Sequence, residues 1–261
     1  MLRAFSTAAT GMTAQQMMVD TIANNLANVN TTGFKRSQIN FQDLLYMTME
    51  EPGTEVASGI NSPSGVEIGS GVRVASTIRI FSAGELQNTA NPLDIAILGD
   101  GFLQVTMPNG DLRYTRDGSL QINANGELVT SNGYTIEPAI SVSTDVVSVN
   151  IEKDGGINVT DASGTQSVVG TIQLARFPNP SGLSSEGDNL LSETEASGTP
   201  TTGTPGENGF GTIQSGFLEK SNVQMVTELV NLITAQRAYE INSRAIRAGD
   251  DMLQTANSVV N

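Results

Sequence analysis

The chain has 261 residues, a formal net charge of −14 at pH 7, and no Cys, His or Trp. Without thiols and imidazoles, disulfides, Cys/His zinc sites, Ser-His-Asp and Cys-His catalysis and imidazole acid/base chemistry are excluded, leaving only carboxylate, Lys, Tyr or Ser chemistry. No apolar run approaches the roughly 20 residues that cross a bilayer, the N-terminus lacks a cleavable secretory signal pattern, and nucleic-acid binding would need a basic face that is absent.

At the N-terminus, Phe5, Met12, Val19 and Leu26 recur at intervals of seven, with Ala8, Gln15, Ile22 and Val29 in a second seam. Sustained seven-residue spacing predicts a helix that packs lengthwise on another helix, because 3.5 residues per turn keep one seam facing a partner. The helix is expected to stop near Asn28 to Gly33, where Asn and a Thr-Thr-Gly run supply turn chemistry. Asn40 to Thr48 is a short apolar stretch compatible with helix or strand. From Pro52-Gly53 to about Gly71 the composition turns to Gly, Ser and Pro, which predicts an extended arm or long hairpin over 34–71.

From Val72 the period becomes two: Leu93, Ile95 and Ile97 alternate, as do Val147, Val149 and Ile151. Asn109-Gly110, Asn125-Gly126, Asn132-Gly133 and Asp154-Gly155 punctuate the alternation with residues that supply the positive φ of tight hairpins. A mainly antiparallel β domain is expected over 72–215. Within it, residues 197–212 contain 13 Gly, Pro, Ser or Thr among 16, the composition of a flexible linker.

The Ser221-Asn222-Val223-Gln224 spacing of a capping box then opens a second long helix in the 216–261 segment. Its seam is Met225, Leu232, Tyr239, Ile246, Leu253 and Val260, and its second set, Glu228, Ala235, Asn242, Gly249 and Ala256, is small or polar and suits close helix approach. At about 1.5 Å per residue these helices would be roughly 40 and 55 Å long, too long for one chain of this size to bury. Neighbouring copies are the expected cover. The fold class is therefore α+β, a coiled-coil-like pair of terminal helices (1–33 and 216–261) with an antiparallel β middle.

Charge follows the same division. Residues 1–50 carry three acids and three bases and residues 215–261 five and four, leaving a balance of −13 in residues 51–214. The acidic middle reads as a solvated outer surface that discourages nonspecific contacts. Gly99-Asp100-Gly101-Phe102 begins like a dinucleotide fingerprint but lacks the third glycine and precedes a strand, so it reads as a turn. Gln121 to Gly126 superficially resembles a calcium loop, but Asn132 stands where the bidentate Glu is needed, so a hairpin is preferred. No spacing selects a catalytic carboxylate pair, and no cofactor or metal is expected.

The run Ile22-Ala23-Asn24-Asn25-Leu26-Ala27-Asn28-Val29-Asn30-Thr31-Thr32-Gly33-Phe34-Lys35 resembles the N-terminal signature of bacterial flagellar rod and hook proteins. Ser221-Asn222-Val223, Glu228-Leu229-Val230-Asn231 and Ala235-Gln236-Arg237-Ala238-Tyr239-Glu240 are similar to the family's C-terminal signature. In the middle, Gly99 to Phe102, Tyr114-Thr115-Arg116-Asp117-Gly118 and Gly126-Glu127-Leu128-Val129-Thr130 resemble its β-domain motifs, with Leu120 where many relatives carry Phe. Chain length and the Phe41 to Gly53 stretch resemble the members that build the distal rod.

The resemblance implies a non-enzymatic structural subunit, exported unfolded through the flagellar type III apparatus, that polymerises in the periplasm into a tubular shaft transmitting motor torque to the hook. The implied partners are other copies of the chain, proximal rod proteins, the hook protein, the P and L ring proteins and the export apparatus, without nucleic acid and without membrane insertion. In the same reading the terminal helices line the inner tube, the arm bridges neighbours, and Asn24, Asn25 and Asn28 satisfy backbone groups or partner side chains. Gly33 ends the helix. The alternatives are a proximal rod or hook protein, an extracellular β-domain adhesin whose helices merely oligomerise it, and a carboxylate-using enzyme. A soluble closed oligomer that binds glycan would favour the second, and activity lost with one Asp or Glu the third.

Overall fold

The structure, a computed structural model, describes residues 2–53, 55–57, 60–61, 63–143, 146–162 and 164–260. The chain forms two compact units, and both are discontinuous in sequence: one takes residues 1–26, 37–78 and 225–261, the other residues 27–36 and 79–224. The class is α+β, with one helix at each end of the chain and a mainly antiparallel β middle.

In the helical unit, α1 runs over Leu2–Ala27 and α2 over Met225–Val260. The second helix opens at Met225, just after the expected capping box, and in the turn before it Ser221 Oγ accepts from the Val223 amide at 3.3 Å. Glu228 in the first turn of α2 places a carboxylate at the positive end of the helix dipole. The side chains of Ala256 and Val260, assigned to the seams by spacing, lie outside the described residues.

The same unit holds the strands drawn from the 34–71 stretch. Ser37–Asp43 pairs with Val72–Arg79. Tyr46–Glu50 runs antiparallel to Val66–Gly69, and Glu55–Ala57 pairs with Ile60–Asn61. Positions 54, 58, 59 and 62 of the expected arm fall outside the described residues.

The β unit is built on a nine-stranded sheet. Its main path runs Leu120–Ile122, Leu128–Thr130, Thr135–Glu137, Phe102–Thr106, Leu112–Thr115, Leu190–Ser192 and Ser184–Gly187, with Leu174–Arg176 joining Phe102–Thr106 to Thr201–Gly203. Phe102 to Val105 are buried without a break, as expected of a central strand covered on both faces. A three-stranded meander, Val146–Ile151, Gly156–Asp161 and Gln166–Thr171, packs Ile151, Ile157 and Val159 into the same core as Leu103, Leu120, Ile136 and Leu174. Two further ladders, Ile95–Leu98 with Thr212–Ser215 and Leu86–Asn88 with Phe217–Glu219, bring the end of the unit back onto its beginning.

Three sequence expectations change here. Val147 does not share the inward face of Val149 and Ile151: the register slips between Val146 and Ser148, and the bulge turns Val147 outward to 72% exposure. The four hairpin turns take positive φ only at the glycine, whose amide donates to the carbonyl three residues back, Met107, Asn123, Thr130 or Glu152. This is the turn followed by one left-handed residue, not a turn with two. Residues 197–212 contain the strand Thr201–Gly203 and a buried Phe210, so the segment described as a linker by composition is pinned by the core beneath it.

Candidate assembly site

Large apolar side chains stand in solvent along α2. Val226, Val230, Ile233, Ile241 and Met252 are each more than half exposed, and Met225, Tyr239 and Leu253 of the expected seam are exposed as well. Leu232 and Ile246 are half-buried, as are Phe5, Met12, Val19 and Leu26 on α1. The buried track of α2 follows its small and polar set: Glu228 and Ala235 are each 1% exposed, and Asn242 and Gly249 are half-buried.

The reason lies in two close approaches inside the helical unit. A Cβ on Gly11 would come within 3.0 Å of Asn242 Nδ2, and one on Gly249 within 2.8 Å of the Phe5 ring. As the α1 position rises from Phe5 to Gly11, its α2 partner falls from Gly249 to Asn242, so the helices run in opposite directions where they meet. Small side chains permit that approach, and the large ones of α2 are left on its other faces.

The motif residues after α1 have specific work. Asn25 is 1% exposed, and its amide pairs with the backbone of Ser37 in both directions, donating to the carbonyl and accepting from the amide at 2.9 Å each. It thereby starts the Ser37–Asp43 strand. Asn28 Oδ1 accepts from Thr31 Oγ1 at 3.1 Å and tightens the turn that follows the helix. Asn24 is exposed at the helix surface, Phe34 is half-buried, Ala235 is buried, and Gln236 and Arg237 are exposed, the latter paired with Glu240 at 2.8 Å.

Gly33 does not end the helix, which stops at Ala27. Its φ is +68°, and a Cβ there would lie 2.7 Å from the Arg116 carbonyl carbon, while its amide donates to the Glu219 carbonyl at 2.8 Å. Positive φ and close backbone approach together require glycine.

That contact leads to a buried ionic cluster which sequence reading missed. Lys35 Nζ lies 2.6 Å from Glu219 Oε1 and Arg116 Nη1 3.4 Å from Glu219 Oε2, with all three side chains at most 4% exposed. Lys35 also donates to the Ser82 carbonyl at 2.7 Å, and the Gly84 amide to Glu219 Oε1 at 2.8 Å. Arg116 donates to the carbonyls of Ile97 and Gly99 at 3.3 and 2.7 Å and sits 5.3 Å from the centre of the Phe102 ring. Burial pushes Lys35 and Arg116 below their ordinary pKa values, and the Glu219 carboxylate pulls in the other direction. The turn at Gly99 to Phe102 is thus held by the arginine of Tyr114 to Gly118, and in the sequence the cluster shows itself only in that Lys35 and Arg116 lie inside family-like motifs.

Among the described residues no group of three or more Asp or Glu side chains is disposed to hold a metal ion. No described helix is long and apolar enough to cross a membrane. The geometry is that of packing surfaces.

Comparison with known proteins agrees with it. Residues 5–35 match the model of the flagella basal body rod protein, residues 96–159 that of the flagellar hook protein FlgE/F/G D1 domain, and residues 214–259 that of the flagellar basal body rod FlgEFG protein C-terminal region. The chain is 49% identical to the flagellar basal-body rod protein FlgG of Buchnera aphidicola subsp. Baizongia pistaciae, over 97% of this chain and 98% of the relative. It is 48% identical to FlgG of Borreliella burgdorferi over 99% of both chains, and 45% identical to FlgG of Caulobacter vibrioides, again over 99% of both. The chain belongs to the FlgG family of flagellar basal-body rod proteins, structural subunits of the distal rod.

Proposed function

We propose that this rod subunit polymerises through α1 and α2, which form a coiled-coil-like pair and line the inner tube of the shaft. The subunit contacts run through Phe5, Met12, Val19 and Leu26 on one helix and Met225, Leu232, Tyr239, Ile246 and Leu253 on the other. The exposed apolar side chains of α2 carry this reading: Val226, Val230, Ile233 and Ile241 are each more than half exposed, and water is a poor neighbour for them.

The 34–71 stretch acts as the arm that bridges neighbouring subunits, and the acidic β-rich middle of roughly 72–215 faces outward. The shaft is assembled in the periplasm from chains delivered by the flagellar type III export apparatus. It meets proximal rod proteins at one end and the hook protein at the other, with the P and L rings around it.

The test is Ile241→Asp. The side chain is 62% exposed, so the charge is accommodated in the free chain, whereas burial between subunits would cost several kcal/mol per copy. The variant is expected to melt like the wild type and to form no rods in basal bodies isolated from cells that carry it as their only copy. Normal rods would remove this face of α2 from the interface.

A further inference from the structure

The chain passes between its two units four times, at 26/27, 36/37, 78/79 and 224/225. On the β-unit side, three of these crossings are bound to one another. The Ile80 amide donates to the Arg36 carbonyl at 3.0 Å. The Asn222 side chain accepts from the Arg36 amide at 2.7 Å and donates to the Ile80 carbonyl at 2.8 Å and to Ser82 Oγ at 2.9 Å. One short side chain therefore holds the backbones beside three crossings.

A second layer lies beside it. Glu219 binds Lys35 and the Gly84 amide through Oε1, Arg116 through Oε2, and the Gly33 amide through its carbonyl, while Lys35 reaches the Ser82 carbonyl. The same three segments, 33–36, 80–84 and 219–222, appear in both layers. Such repeated cross-linking exceeds what burying one ion pair requires, and buried ion pairs are in any case weak sources of net stability.

We propose that Glu219 and Asn222 are positioning residues for torque transmission: they fuse the crossing segments into one stiff plate, so that the covalent connections of a loaded subunit do not act as separate hinges. Asn222 carries the neutral half of the plate and Glu219 the charged half. Loss of either loosens all three segments together, because each segment is held by both layers.

The experiment is amide hydrogen exchange on the full-length chain, wild type against Asn222→Ala and Glu219→Gln, followed by electron microscopy of rods in basal bodies from cells carrying each variant. Asn222→Ala removes the bonds to Arg36, Ile80 and Ser82, and Glu219→Gln removes the charge that holds Lys35 and Arg116. In each, protection of 33–36, 80–84 and 219–222 is expected to fall together by about tenfold or more, while Phe102–Thr106 and Leu112–Thr115 keep theirs. Rods are expected to form and to bend more than wild-type rods.

Asn222→Ala leaves the ionic cluster whole and covers the case in which Glu219→Gln, with two cations left facing a neutral amide, folds poorly. Adding Lys35→Met to Glu219→Gln removes one of those cations and is expected to restore folding without restoring protection at Gly33 to Arg36. Loosening confined to the mutated segment, uniform loosening of the whole chain, or straight rods of unchanged stiffness would overturn the proposal.

Discussion

The two units solve the problem of apolar surface in opposite ways. The β unit turns its large side chains inward, with Leu103, Ile136, Ile157, Ile172 and Leu174 wholly buried and Phe102, Tyr114 and Phe177 stacked edge to face. Among the described residues of the helical unit the buried apolar ones are Ala14, Ile22 and Ala235, while Tyr46, Met49, Val226, Val230 and Ile241 are exposed. The first unit thus keeps its large apolar side chains away from water within the chain, and the second leaves much of its own in contact with it.

One glycine from the β core and one from the helix contact test the comparison. In the β unit, a Cβ on Gly118 would lie 1.8 Å from the Ile95 carbonyl oxygen, a backbone atom locked in the ladder that begins with the Ile95 amide donating to the Gly118 carbonyl. Gly118→Ala is expected to cost about 3–4 kcal/mol, seen as a lower urea midpoint of the full-length chain by far-ultraviolet circular dichroism. An unchanged midpoint would mean that the unit is far less rigid than its packing.

The next effect in size lies at Phe210. If 197–212 behaved as the linker its composition suggests, Phe210→Ala would be silent. Because the ring is 8% exposed and belongs to the main core, about 3 kcal/mol should be lost in the same assay.

Ala90 offers a smaller change of opposite sign. Its φ of +57° is unfavourable for a residue with a Cβ, so Ala90→Gly should raise stability by about 1 kcal/mol, measured as an increase in Tm. A loss would show that the chain entropy of glycine outweighs the relief.

The smallest expected effect closes the comparison from the helical side. At Gly11 the nearest atom to an added Cβ is the end of the Asn242 side chain, which can swing away. Alanine also favours helix over glycine by about 1 kcal/mol, so Gly11→Ala should be neutral or stabilising by roughly 0.5 kcal/mol in the unassembled chain. Measured by the thermal loss of helical circular dichroism, a decrease of the size expected at Gly118 would mean that α1 and α2 pack as tightly as the β core.

Local patterns were legible before the structure, and distant pairings were not. Seven-residue spacing located both helices, and the glycines after Asn109, Asn125, Asn132 and Asp154 located the turns, because a period or a positive φ is a property of a few adjacent residues. The partner of Lys35 is 184 residues away, and nothing in one sequence couples it to Glu219. Gly33 illustrates the same limit, since its place after a helix suggested a terminator while its real constraint is the backbone of Arg116. At 197–212 composition misled because Pro205, Phe210 and Ser197 take their order from what they touch, with Ser197 bonded to Thr194 and buried. Val147 was misplaced by a bulge that alternation cannot reveal.

Residues 27–36 belong to the β unit although the chain leaves it for more than forty positions before returning at 79. A polypeptide cut to 79–224 would therefore keep Glu219 and Arg116 but lose Lys35 and Gly33. The β unit is not a cassette that could be lifted out or inserted whole between two helices. For a chain synthesised from its N-terminus, it also sets an order of events: the last bonds of the β unit must wait until both Lys35 and Asn222 have been made, when only the second helix remains to follow.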